Sequence, residues 1–121
     1  MLLWSRLLLF IAGLMGAAGV ALSAYAAHAD GGANLTTAAT FLMIHAAAVA
    51  GLCAGATTRR GLLQAASLLV LGAALFSGDI AMRAISGAPL WRMAAPTGGV
   101  MLIVGWLWLA LAAFTGRRDA P

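Results

Sequence analysis

Lysine and glutamate are absent from this chain of 121 residues, and charge of any kind is scarce: seven arginines and three aspartates make up 8% of it. A soluble domain carries about 25% charged residues, so too little charge is present to cover a water-facing surface, and a soluble globular fold is excluded. Cysteine is nearly absent as well. Cys53 stands alone, which rules out an intramolecular disulfide and any CxxC metal site. Two histidines and one cysteine do not supply zinc-ligand spacing. Once the apolar runs are assigned, no stretch of 50 or more residues is left to form a separate soluble domain.

What fills the chain is hydrocarbon. Hydrophobic residues make up 64% of it, the mean hydropathy is +1.01, and 30 alanines and 15 glycines beside all-arginine basic residues are typical of a GC-rich bacterial genome. The charge-free gaps Arg6–Asp30, Arg60–Asp79 and Arg92–Arg117 hold 23, 18 and 24 residues, and Asp30–Arg59 holds 28. A helix needs about 20 apolar residues to cross a bilayer, so four crossings fit and a fifth does not. The expected architecture is all-α: a four-helix transmembrane bundle forming one membrane domain over 1–121, with spans at about 7–27, 36–56, 62–85 and 96–115. Asp30, Gly31 and Gly32 are turn formers between the first two spans, and Asn34 or Thr36 is placed to cap the second. The Ser86-Gly87-Ala88-Pro89 run breaks the third span. Leu90 to Ala95 reads as a short interfacial piece with Trp91 and Arg92 at headgroup level, and Pro96 suits a first helical turn, where its missing N–H is no loss.

The sequence pI of about 11.3 would suggest nucleic acid in a soluble domain. Here the arginines sit at the ends of apolar runs, so they read as topology signals and no nucleic-acid partner is expected. Four spans put Arg6, Arg59, Arg60, Arg117 and Arg118 on one side of the membrane and Arg83 and Arg92 on the other, so both termini are expected in the cytoplasm. Ala27-His28-Ala29 before Asp30 looks like a signal-peptidase site, and cleavage there would leave three spans. The preceding apolar stretch exceeds the 7–15 residues of a signal h-region, so the first span is expected to stay.

Inside a bilayer, close packing of small residues drives helix association. Gly13, Ala17, Ala21 and Ala24 form such a stripe on the first span, with His28 at its end, and Gly51 and Gly55 form a GxxxG on the second. Packing within the bundle is the expected use of the motif, and a homodimer face is the alternative.

Ionisable residues in spans are costly and are read first as functional. Four qualify. Asp79 and Arg83 lie one turn apart, in the favourable order of acid before base. The 18 residues from Gly61 to Gly78 cover about 27 Å of helix, which puts that pair near the outer interface. His28 belongs at the same level. Thr97, Gly98 and Gly99 open the fourth span there, with the N–H groups that a helix start leaves free. The expected site is therefore one polar cluster of His28, Asp79, Arg83, Thr97, Gly98 and Gly99, with Asp79 turned inward. His45, about 13 Å into the second span, is a separate, deeper candidate expected to point toward another span. The two histidines differ in depth by about 10 Å, too much for axial ligation of one haem, and no cofactor or metal is expected. No set of nucleophile, base and orienting group is visible, so no enzyme is expected.

Several runs, in order, resemble a family of small four-span membrane proteins, the domain of unknown function 423 with its eukaryotic transmembrane protein 256 relatives. These are Gly16-Ala17-Ala18-Gly19-Val20-Ala21-Leu22, Tyr25-Ala26-Ala27-His28-Ala29, Ile44-His45-Ala46, Phe76-Ser77-Gly78-Asp79, and Pro96-Thr97-Gly98-Gly99 followed by Gly105-Trp106. The resemblance covers about 90 residues. This chain departs from it where Ala27 replaces a common Gly, where Ala95 replaces the Thr before the Pro, and where Phe41-Leu42-Met43 replaces a polar pair before His45. It implies fold, topology and membrane location, and no activity. The sequence is read as an integral inner-membrane protein of structural or interaction type, in contact with membrane lipids and with further copies of itself or other membrane proteins. The rival reading is an oligomeric transporter or channel built on the outer polar cluster.

Overall fold

A computed structural model describes residues 2–30, 32–54 and 59–115 of the chain. Gly31, Gly55, Ala56, Arg117, Arg118 and Asp119 lie outside the described residues. Four helices are present: α1 (Leu3–Ala26), α2 (Gly32–Cys53), α3 (Arg60–Ser86) and α4 (Ala94–Thr115). Each is long and apolar enough to cross a membrane. At 1.5 Å per residue the shortest is about 33 Å, against a hydrocarbon core of about 30 Å.

The helices pack mainly in chain order, α1 on α2, α2 on α3 and α3 on α4, with a lesser approach of α1 to α3. Among the described residues, α4 brings no backbone near α1 or α2. The core gathers Leu8, Ala12, Met15, Ala46, Val49, Leu63, Ala66, Val70 and Ala73 of the first three helices with Leu102 of α4, and α4 packs mainly on α3. The bundle is open on one side. Most of α4 faces outward, with Val100, Ile103, Leu107 and Leu111 exposed and Phe114 at 91%. That exposure is expected of a surface whose solvent is lipid.

The contact between α3 and α4 depends on glycine. A Cβ on Gly98 would stand 2.5 Å from the Phe76 nitrogen and 2.7 Å from the Gly72 oxygen. These are backbone atoms, which cannot swing aside. A Cβ on Gly72 would in turn meet the Gly98 oxygen at 2.9 Å. Small residues here let two backbones touch, as in other membrane helix pairs.

Several sequence expectations need correction. The stripe Gly13, Ala17, Ala21 and Ala24 is exposed, and a Cβ on Gly13 would meet nothing within 4 Å. The packing face of α1 is instead Leu8, Ala12, Met15, Gly19 and Ala26. This is a second face, also containing small residues, on which Gly19 meets Met43, Ala39 and Leu42 of α2. Gly51 is likewise exposed with open space around it, because α2 turns Ala38, His45, Ala46, Val49 and Cys53 inward. Asn34 and Thr36 do not cap α2. The helix begins earlier, at Gly32, where a Cβ would stand 2.5 Å from the Ala26 oxygen; glycine lets the second helix start hard against the end of the first. Leu90 to Met93 is irregular chain.

Candidate functional site

The C-terminal end of α3 is shaped by a reversal. Ser86 closes the helix with its hydroxyl donating to the Met82 carbonyl at 2.7 Å. Gly87 follows at φ 77° and donates its N–H to the Arg83 carbonyl at 3.0 Å. This is a left-handed helix end that glycine adopts without a Cβ penalty. The chain then folds back over α3, and the Leu90 side chain lies 3.8 Å from where a Cβ of Gly78 would be.

Asp79 receives this returning loop. It is fully buried. One carboxylate oxygen accepts from the Arg83 Nε at 2.8 Å, and the other accepts the Leu90 N–H at 2.8 Å. A carboxylate on α3 thus takes up a backbone N–H of the loop that leads into α4. Arg83 in turn donates from Nη2 to the Arg92 carbonyl at 3.4 Å. Its side chain is 46% exposed, so the pair is half open to the interface.

Asp79 does turn inward and bonds more than Arg83, but its further partners differ from those the sequence suggested. The Leu90 N–H stands in place of the His28 imidazole, the Thr97 hydroxyl and the N–H groups of Gly98 and Gly99. His28 is exposed beyond the end of α1, and among the described residues no hydrogen bond joins it to Asp79. Thr97 is exposed and gives its N–H to the Met93 carbonyl at 2.9 Å. Gly98 is consumed by packing against α3, and Gly99 faces the Phe76 ring. The structure therefore joins Asp79 and Arg83 to the loop, and among the described residues no hydrogen bond links either of them to His28 or Thr97.

His45 lies buried on α2. Its Nδ1 is 2.7 Å from the Phe41 carbonyl oxygen, and its Nε2 accepts the Trp106 Nε1–H at 3.1 Å. A carbonyl only accepts and an indole N–H only donates, so the proton must be on Nδ1 and the ring is neutral. Around it the Phe41 ring lies 5.8 Å away, stacked, and the Trp106 ring 5.8 Å away, tilted, while Phe41 meets Phe76 at 4.7 Å. This aromatic box joins α2 to α4, which otherwise do not approach each other through backbone.

Trp106 is one of three tryptophans used the same way. Trp4 of α1 donates to the Ser67 hydroxyl of α3 at 2.9 Å, and Trp108 of α4 donates to the Gln64 Oε1 of α3 at 3.2 Å. Neither bond was anticipated from the sequence. A polar residue inside an otherwise apolar span, such as Gln64, is the signal that could have prompted the search. On the buried side of α3 the Ser77 hydroxyl is the one side-chain polar atom left without a partner among the described residues.

The family described as "Protein of unknown function (DUF423)" matches residues 15–99, which hold His45, Asp79, Arg83 and the returning loop. The chain belongs to this family. Family relatives named "UPF0382 inner membrane protein YgdD", from Escherichia coli strain K12 and from Shigella flexneri, are 30% identical to it over 123 residues, covering 94% of each chain. No solved structure matches. With four helices able to span a membrane, this DUF423 member is a multi-pass inner-membrane protein.

Proposed function

We propose that the protein is a non-enzymatic structural or interaction component of the inner membrane, with both termini in the cytoplasm. One observation carries this reading: the two buried ionisable side chains within its spans are already engaged by the chain itself. Both oxygens of Asp79 have partners in Arg83 and Leu90, and both nitrogens of His45 have partners in Phe41 and Trp106. A group that carries cargo needs a free valence, and a general base needs a proton within reach. Here the polar groups hold helices and a loop in place, leaving the outward apolar faces of α1 and α4 as the surfaces offered to the membrane.

Liposomes containing the purified protein, loaded with a pH-sensitive dye and held under imposed proton and potassium gradients, test this. The expected leak equals that of empty liposomes, and Asp79→Asn lowers only the unfolding temperature. A conductance of the wild-type protein that Asp79→Asn abolishes in a folded state would overturn the reading and make Asp79 part of a pathway.

A further inference from the structure

Arg92 is the arginine of the outer loop that the fold does not use. Only its carbonyl is engaged, by Arg83. Among the described residues its exposed side chain makes no hydrogen bond, and the ion pair present joins Asp79 to Arg83. Asp30, the other described acid on that side, makes no ion pair with it. One positive charge is therefore left uncompensated on the side of the membrane where arginine is disfavoured. It sits two residues after Leu90, whose N–H is held by Asp79, and its own carbonyl is held by Arg83. Beside it Trp91 is exposed, as expected for an aromatic residue at headgroup level.

The next residues form a groove. Met93, Pro96, Thr97, Val100 and Met101 line a space of about 290 Å³ on the outer face of α4. Pro96 has no N–H, and the N–H of Thr97 is taken by Met93, so the groove wall presents almost no backbone donor. Its chemistry suits hydrocarbon. An apolar groove whose first lining residue, Met93, directly follows an exposed arginine in the chain is complementary to a molecule with an anionic head and an apolar tail.

We propose that this groove holds an acyl chain of an anionic phospholipid whose phosphate is bound by Arg92. Free phosphate would leave the groove empty, and a neutral hydrocarbon would leave the charge unmet. The site goes beyond the structural role proposed above, and the conductance measurement is indifferent to it.

Native mass spectrometry of delipidated protein, titrated with phosphatidylglycerol and with phosphatidylcholine of identical chains, tests it. One arginine at an anionic surface supports about a fivefold preference. Wild type should show that preference, Arg92→Gln should reduce it to parity, and Val100→Phe should weaken binding of both lipids by occupying the groove. Equal binding of the two lipids by wild type would overturn the proposal. So would an undiminished preference in Arg92→Gln, or unchanged binding in Val100→Phe. Competition by inorganic phosphate that matches the lipid would also overturn it, because the tail would then contribute nothing. Arg92→Gln alters an exposed side chain only, so it decides the headgroup claim even if Val100→Phe shifts the melting temperature.

Discussion

At the scale of single residues, the polar atoms in the spans act as fasteners. Three indole N–H groups and one carboxylate each reach a partner on another element, and a buried imidazole is locked in one neutral tautomer by the two groups it faces. Such bonds in membranes are modest, averaging about 0.6 kcal/mol and reaching about 1.7 kcal/mol in double-mutant cycles. The coupling between Trp106→Phe and His45→Leu, measured by reversible unfolding in detergent, is expected in that range. A coupling of zero would show that the 3.1 Å bond contributes nothing beyond packing. The inward aim of His45 was legible in the sequence, since a neutral imidazole in mid-membrane needs a partner. Its partner was not, because Trp106 lies 61 residues away and only the packing of α4 on α3 brings it near. Asp79 is a similar case. Its burial and its bond to Arg83 follow from spacing, whereas the Leu90 N–H becomes available only because Gly87 turns the chain back.

At the scale of helices, the number of elements was legible because charge-free runs of bilayer length have one structural solution. Which faces meet was not. Helix α1 carries two faces containing small residues, Gly13-Ala17-Ala21-Ala24 and Ala12-Gly16-Gly19, and spacing alone does not rank them. The decision rests with the surface of α2 that receives Gly19. The two kinds of glycine should therefore respond differently to a methyl group. Gly98→Ala places a Cβ against backbone atoms of α3 and is expected to destabilise by about 1–3 kcal/mol, the usual cost of overpacking. Gly13→Ala and Gly51→Ala point into open space and should stay within about 0.5 kcal/mol of wild type. Melting of the three variants in one detergent checks the contrast. Equal losses at all three would mean that Gly13 and Gly51 are also packed, against something outside this chain.

At the scale of the whole molecule, five arginines on one side against two on the other predict that both termini lie in the cytoplasm. A C-terminal alkaline phosphatase fusion should be inactive and a C-terminal green fluorescent protein fusion bright; the reverse pattern would invert the protein. The extensive interfaces join helices that are neighbours in sequence, with α1 and α3 as the one further approach. Read in time, this places the helices in the order in which they are synthesised. The first three can bring most of the core together while the fourth, which adds Leu102, is still in the ribosome. Until then α3 shows lipid a bare glycine seam at Gly72, to be covered when Gly98 arrives. The bond from Trp106 of α4 to His45 of α2 cannot form before that docking.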